Sequence, residues 1–570
     1  MSHGLSQNPR FSSAPMHEPT GGSRRRPVVV IGAGPVGLTC AIDLATRGVP
    51  VVVLDDDDTV ATGSRAICWA KRTLEIWDRL GIGQRMVDKG VTWSVGRVFH
   101  GEQELYRFDL LPETGHRRPA FINLQQYYVE EYLIARAADF PELIELRWKH
   151  EVTDLTRTAE GVRLAVATPD GATTLDAEWV LAADGARSPT RTRMGLPFPG
   201  QRFEERFLIA DVRMKADFPT ERLFWFEPTF HAGQSALLHR QPDDVFRIDF
   251  QLGPEADPEL ERQPERVMPR VRAIVGEDTP VSLEWCSVYS FRCARLERFV
   301  HGRVVFVGDS AHVVSPFGAR GGNGGIQDAD NLCWKLALVL RGEAPESLIA
   351  TYDEERGHAA DENILNSSRT TNFMTPKTRA ERHLRDGVLD LAAEAPFARS
   401  LLNAGRLSRP CSLAGLSLQT PDPVPQAAGP RPGDVCVDAP VVDAAGRAGW
   451  LLDSLGGSFT LLVFAGAGAP DPSRLSGLPP GLRCVVVAGR PLALPGAEVL
   501  PGAEVLPGTE MLLDAEGVAG LRYGAGSCAA YLIRPDAHVA ARFAEIDGQR
   551  VTEALARACG RSVTSAQEAA

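Results

Sequence analysis

Gly32-Ala33-Gly34-Pro35-Val36-Gly37 is the first place in the chain where residue types and spacing dictate a chemistry. The first glycine permits a tight turn, the second lets a pyrophosphate approach the backbone, and the third lets the next helix pack close to a sheet. A helix starting here aims unsatisfied N–H groups and the positive end of its dipole at the phosphates. Asp55, 18 residues beyond Gly37, is placed to accept hydrogen bonds from a ribose. Such a hexapeptide also occurs as a plain glycine-rich turn, so its context decides. Val28-Val29-Val30-Ile31 reads as a buried strand, Pro35 to Arg47 has helical spacing, and Val51-Val52-Val53-Leu54 reads as a second strand. This strand–helix–strand unit binds a dinucleotide, and on this evidence NAD and FAD are equal candidates.

Two later motifs favour FAD. Ala183-Asp184-Gly185-Ala186-Arg187-Ser188 closes one buried strand, and Gly308-Asp309-Ser310-Ala311-His312 closes another. An aspartate after a strand and at a helix start can hydrogen-bond a polyol, and FAD has a ribityl chain where NAD has none. His312 reads as a residue that caps or packs this turn. Pro316-Phe317-Gly318-Ala319-Arg320-Gly321-Gly322-Asn323-Gly324-Gly325 then exposes successive backbone N–H groups at a helix start, a nest suited to the pyrimidine edge of a flavin. No second GxGxxG follows, since Gly466-Ala467-Gly468 lacks the third glycine. A dedicated nicotinamide-binding domain is therefore not expected.

In order and spacing these three motifs resemble the class A FAD-dependent aromatic hydroxylases, the family of para-hydroxybenzoate hydroxylase and phenol hydroxylase, over residues 27 to about 375. The resemblance implies that Gly32, Gly34 and Gly37 cradle the pyrophosphate and that Asp55 holds the adenosine ribose. Asp309, after Gly308, takes the ribityl hydroxyls, and the backbone of Gly321, Gly322 and Asn323 meets the isoalloxazine. Arg65 and one of Gln125 or Gln126 match FAD-contacting positions. Asp184 matches a stretch linked to both FAD and reduced nicotinamide, and Pro316 a residue beside the substrate ring. The implied reaction uses NAD(P)H and O2 to hydroxylate a phenolic, electron-rich aromatic substrate through a flavin C4a-hydroperoxide. Arg320 and Gly322 depart from the glutamine and the leucine or methionine of many members, which fits a subgroup acting on hydroxylated aromatic acids.

Substrate contacts are expected from the sheet of residues 200–299. His239 and Tyr289 are candidate catalytic groups alongside Pro316, and His231, Arg240, Arg222 and Trp225 are candidate substrate contacts. Arg222 or Arg240 can pair with a substrate carboxylate through both guanidinium nitrogens. Each has a plainer reading: sheet histidines are commonly structural, and Phe224-Trp225-Phe226 also suits sheet packing. Two rival readings survive, a tailoring monooxygenase for a polyketide or antibiotic and an FAD-binding protein without turnover. A flavin halogenase is set aside, because no two of the nine tryptophans form a WxWxIP segment.

The elements that must position these groups need several domains, because 570 residues exceed one hydrophobic core. The expected fold is α/β: a Rossmann-like FAD-binding domain interleaved with a mixed-sheet substrate domain, followed by a thioredoxin-like α/β domain. Residues 1–26, rich in Ser, Pro, Gly and Arg, read as a disordered tail. Residues 27–400 hold the FAD domain, with the substrate sheet inserted at about 196–299. Alternation such as Phe246-Arg247-Ile248-Asp249-Phe250-Gln251-Leu252 predicts a half-exposed antiparallel sheet there. Residues 401–430 read as a linker. Residues 431–570 resemble the domain appended in the phenol hydroxylase branch, through Arg431-Pro432-Gly433-Asp434, Leu461-Leu462-Val463-Phe464 and Leu532-Ile533-Arg534-Pro535-Asp536. That domain lacks CxxC, which excludes dithiol exchange and leaves a structural or dimer-stabilising role. A six-residue duplication at Leu494, Leu500 and Leu506 reads as an exposed loop.

Lys and Arg total 61 against 73 Asp and Glu, a net charge of −12 that argues against nucleic acid or an anionic membrane as partner. Ten scattered cysteines argue against a metal site or a disulfide framework, and for a cytoplasmic protein. No apolar run is long enough to span a bilayer.

Overall fold

The structure is a computed structural model that describes residues 8–13, 25–63, 65–399, 401, 407–465, 478–479, 481–489, 509–526 and 529–561. The duplicated segment at Leu494, Leu500 and Leu506 lies outside the described residues. The chain divides into two compact units. The first comprises Met1–Pro112, Arg118–Ala329 and Ala360–Arg409, and the second Glu113–Arg117, Asp330–Ala359 and Pro410–Ala570.

The first unit carries two large sheets. In one, Val304–Phe306, Gly171–Ala182, Arg26–Ile31, Val51–Leu54 and Ile144–Arg147 run parallel and adjacent in that order. The central segments Val28 to Ile31 and Val51 to Leu54 are apolar because both faces are covered: Val28, Val29 and Val30 have no exposed surface. These five parallel strands end toward the same edge, so the glycine loop after Ile31, the Asp184 turn after Ala182 and the Asp309 turn after Phe306 lie along it. Ligands of open parallel sheets bind at this carboxyl edge.

The second sheet has eight strands in the order His312–Val313, Val281–Arg295, Gly200–Met214, Val245–Leu252, Ser235–Arg240, Arg222–Phe226, Val95–His100 and Gln103–Asp109. The last two lie outside the 196–299 window and close the far edge by pairing with Arg222–Phe226. Period-two alternation gives this sheet two unlike faces. One is apolar, with Leu208, Ala210, Val212, Leu238, Phe246, Ile248 and Phe250 covered by Val267 and Val271 of the helix Pro264–Val275. The other mixes aromatic with charged residues. It is not open to solvent as the alternation suggested: Phe317, Met374, Leu389, Ala392 and Ala398 pack over its aromatic part.

In the second unit, Thr509–Leu513, Arg483–Ala488 and Thr460–Ala465 form a parallel core continued by antiparallel strands on both sides, seven in all. Arg534 and Lys335 both reach Glu355 inside this unit, and Arg534 also reaches Asp536; all four side chains are fully buried. Within the stretch 401–430, expected as a linker, Asp422 and Val424 are held by this unit. Arg542, buried, binds the Asp422 carboxylate and the Val424 carbonyl.

Candidate functional site

Three turns of the first unit interlock at the sheet edge. Gly32 has φ +106°, and a Cβ there would lie 2.6 Å from the Ala183 carbonyl oxygen, so the glycine loop rests on the Asp184 turn. A Cβ on Gly37 would lie 2.0 Å from the Gly32 oxygen, which forces glycine at that position. Val36 fills the space under Gly308 and Gly325, whose added Cβ atoms would meet it at 3.0 and 2.6 Å. Gly34 faces open space, which leaves its backbone approachable.

The acids divide by role. Asp55 accepts the Ala33 N–H at 2.5 Å and the Asp57 N–H at 2.9 Å, so it braces the glycine loop. Burial raises its carboxyl pKa. Asp184 caps a short helix by accepting the Thr190 N–H at 2.9 Å, a local structural duty. Asp309 keeps an open face, and burial nonetheless raises its pKa, as befits a carboxyl lining an enclosed groove. Its turn is held by Asp328, whose Oδ2 accepts the Gly308 N–H at 3.1 Å and lies 2.6 Å from His312 Nε2. His312 packs the turn, as expected.

Helix Gly321–Leu340 begins beside Asp309, and its first intrahelical bond is the Gly324 N–H to the Arg320 carbonyl. The N–H groups of Gly321, Gly322 and Asn323 are therefore left without an intrahelical partner. The Asn323 side chain is committed elsewhere. Its Oδ1 accepts from Ala70 N–H and Thr73 Oγ1 at 2.9 and 2.6 Å, and its Nδ2 donates to the Cys68 and Ala319 carbonyls at 2.9 and 2.6 Å. Gly322 is explained by Trp69: a Cβ would stand 3.1 Å from the indole, so the tryptophan fills the space that a larger side chain would need. Arg320 is buried and donates to Asn363 Oδ1 at 2.9 Å. Pro316 is exposed, and its carbonyl accepts the Gly318 and Ala319 N–H groups.

Gln125 and Gln126 separate clearly. Gln126 accepts the Ala66 N–H at 3.2 Å beside Arg65 and donates to Glu130, whereas Gln125 is buried and turns to the Pro242 carbonyl. Gln126 is thus the one beside the exposed Arg65. Glu130 also accepts the Ala61 N–H at 2.5 Å, and burial pushes its carboxyl up to about 7.

A row of polar groups crosses the mixed face of the eight-stranded sheet. His239 pairs in register with Arg247, and Arg247 with Asp211; Leu237 pairs with Asp249; Phe207 pairs with Tyr289. Arg222 lies on the same face, two residues before Phe224, which pairs with Leu237. Arg247 and Asp211 satisfy each other. Arg222 Nε, Asp249 Oδ1 and His239 Nδ1 are buried without a protein partner. Arg222, Asp249 and Tyr289 keep reachable surface although burial dominates each group's pKa, so they face an enclosed cavity. Tyr106, Phe224, Phe226, Phe291 and Phe317 supply its aromatic wall.

The electrostatics of the row follow from burial and neighbours. Burial pushes the Asp249 carboxyl up to about 7, against the pull of Arg247. Burial, then Arg222 and Arg247, hold His239 well below the usual imidazole range, so its ring is neutral at neutral pH. Cys68 Sγ lies 4.0 Å from His239 Nε2, and burial pushes the thiol up to about 12, which makes it a poor nucleophile.

Three expected contacts fall elsewhere. Arg240 follows His239 and so points to the opposite, apolar face, where its guanidinium lies 5.8 Å from the Phe246 ring. Trp225 faces the same way for the same reason, stacks on Phe99 and meets Phe230 edge-on. His231 bonds the Gln251 carbonyl at 2.7 Å and packs edge-on against Phe250 of that apolar face. His239, Tyr289 and Arg222 do come together. Asp249, Asp211, Arg247 and Cys68 were missed. Asp249 and Arg247 stood in the segment whose alternation was recognised but whose polar side was assigned to solvent.

Residues 25–367 match the family described as FAD binding domain. A flavin-dependent monooxygenase of Mycobacteroides abscessus is 33% identical over 347 residues, 58% of this chain and 70% of that protein. A 3-(3-hydroxy-phenyl)propionate/3-hydroxycinnamic acid hydroxylase of Mycolicibacterium smegmatis is 28% identical over 65% of each chain. The 6-methylpretetramide 4-monooxygenase of Streptomyces rimosus is 33% identical over 66% of each. The chain thus spans slightly less than two thirds of the latter two. Among solved structures, the flavin-dependent monooxygenase PieE, in complex with FAD and substrate, shares the fold with TM-score 0.75 at 23% identity, over 95% of this chain and all of that one. OxyS anhydrotetracycline hydroxylase from Streptomyces rimosus gives 0.67 at 25% identity, over 95% of this chain and all of that one. No helix among the described residues is long and apolar enough to cross a membrane.

Proposed function

Because this chain belongs to the FAD binding domain family of class A flavin-dependent aromatic hydroxylases, we propose that it hydroxylates a phenolic aromatic compound with NAD(P)H and O2. The observation that carries this reading is the set of unpartnered polar groups, Arg222, Asp249 and His239, inside a cavity walled by aromatic side chains. Buried polar atoms without partners are costly unless a ligand satisfies them.

The glycine loop, Asp55, Asp309 and the N–H groups of Gly321 to Asn323 fit FAD: an approachable backbone, two carboxyls on one groove and a nest at a helix start. FAD held there would supply electron acceptance from NAD(P)H and the activation of oxygen. The chain's own residues prepare the substrate. Phe224, Phe226, Phe291 and Phe317 hold an aromatic ring and exclude water. Asp249, with its carboxyl near 7, takes the phenolic proton and so raises the electron density of the ring. Arg222 stabilises negative charge on the substrate, and neutral His239 offers a hydrogen bond without adding charge. Asp184, Arg65 and Gln126 are read as supports of the cofactor side, and Pro316 as a backbone neighbour of the ring.

The C-terminal unit is read as thioredoxin-like, and without CxxC its role is structural. A tailoring reaction on a fused-ring polyketide is the second reading, favoured by the likeness to the 6-methylpretetramide 4-monooxygenase at 33% identity. NADH and NADPH oxidation with simple phenols, phenolic acids and fused-ring phenols decides between them, with products identified by mass. Stimulation by single-ring phenols supports the first reading, and stimulation by fused rings alone supports the second. Bound FAD that no aromatic compound helps NAD(P)H to reduce would reject both.

A further inference from the structure

Residues 8–13 belong to the stretch that composition marks as a disordered tail, yet they are docked on the first unit. Arg10 and Thr59 form an antiparallel bridge, and the Phe11 N–H donates to the Asp58 carbonyl at 2.7 Å. Thr59 Oγ1 donates to the Pro9 carbonyl at 2.9 Å, and Asn8 Nδ2 donates to the Ala61 carbonyl at 3.1 Å. The Phe11 ring stacks on Trp148 with centroids 4.7 Å apart and planes inclined by 12°. Trp148, under the stacked Phe11 ring, is 5% exposed.

What the segment grips is the edge of the cofactor groove. Residues 58–61 follow Asp55, and Trp148 follows the strand Ile144–Arg147 beside Val51–Leu54. Lys149 and His150 N–H groups bond the Asp57 and Asp55 carbonyls, so the two loops form one ledge at the ribose end. The same ledge continues through Ala61 to Glu130, from Glu130 to Gln126, and from Gln126 to Ala66 beside Arg65. It also carries four consecutive acids, Asp55 to Asp58, whose repulsion opposes order. Arg10 and Lys149 flank Asp58 at 2.9 and 3.2 Å and hold its carboxyl below the usual range, against its desolvation.

We infer that residues 8–11 form a strap that fixes the ledge of the adenosine end, with Phe11 as a positioning residue for FAD retention. The inference rests on Asp55 being the ribose partner. The exposed Arg10 pair contributes little, so the stacked Phe11 is the main anchor. A strap acting at this end affects FAD and spares FMN, which lacks the adenosine half.

The test titrates apoprotein with FAD and with FMN by flavin fluorescence, for the unaltered chain, Phe11→Ala and Phe11→Trp. The expected result is an FAD dissociation constant raised about five- to tenfold in Phe11→Ala, restored in Phe11→Trp, with FMN unchanged. An unchanged FAD constant in Phe11→Ala overturns the strap, and so does an equal loss for FAD and FMN. If FMN is too weak to titrate on the unaltered chain, the FAD comparison of the alanine and tryptophan variants decides alone. An unaltered chain that takes up no FAD refutes the cofactor site itself, a result distinct from any difference between variants.

Discussion

Arg247 holds Asp211 through two parallel hydrogen bonds, Nε to Oδ1 at 2.8 Å and Nη2 to Oδ2 at 3.0 Å. The same guanidinium donates Nη1 to the Arg65 carbonyl at 3.2 Å. One buried cation therefore ties the eight-stranded sheet to the loop that carries Arg65.

Replacing Arg247 with Met leaves Asp211 buried and uncompensated, which costs about 3–5 kcal/mol of stability. Arg247→Lys recovers only part, since an ammonium cannot make the paired contact. Arg247→Met together with Asp211→Leu removes both charges and is expected to be more stable than Arg247→Met alone. Urea unfolding of the three variants checks the order, and equal stability of Arg247→Met and the unaltered chain refutes the tie.

Asp249 should impose a pH dependence on both activity and stability. Its folded pKa of about 7 lies above the ordinary 3.8, so the folded state holds the proton more tightly than the unfolded chain. Its stabilising contribution is full below 3.8, declines as pH rises through about 7, and is absent above. Substrate deprotonation needs the ionised form, so kcat/KM should rise with pH up to about 7 and then level. Asp249→Asn removes that limb and lowers the rate about 10²- to 10⁴-fold. It should also melt about 2–4 °C higher than the unaltered chain at pH 8 and equally at pH 4. A retained limb in Asp249→Asn assigns the titration to another group.

The contrast between the cofactor groove and the substrate cavity explains what the sequence can disclose. Gly32, Gly37 and Gly308 are needed by contacts with backbone or with Val36 at neighbouring strand ends, so short motifs carry their meaning. The cavity is assembled from remote pieces. Phe246 to Leu252 shows its period of two plainly, but which side is the cavity depends on residues such as Phe317, Met374 and Leu389. Hence adjacent His239 and Arg240 look alike in sequence and point to opposite faces. Gly322 is a departure from pattern until Trp69, 253 positions earlier, is seen to occupy its space.

Asn323 gives the sharpest separation of backbone from side-chain roles. Its backbone N–H belongs to the nest, while its amide joins the start of the long helix to Cys68, Ala70, Thr73 and Ala319 through four hydrogen bonds. Asn323→Asp keeps the shape and the two accepting bonds but turns two donors into an acceptor facing the Cys68 and Ala319 carbonyls. Burial of that carboxylate against two carbonyls is expected to cost about 2–4 kcal/mol. On the proposed reading the helix start loosens with it, so FAD affinity should fall about tenfold or more although all four side-chain bonds go to protein. Calorimetric unfolding of the apoprotein measures the first effect and flavin fluorescence the second. A variant that loses FAD affinity with an unchanged apoprotein melting temperature would show instead that the amide contacts the cofactor directly.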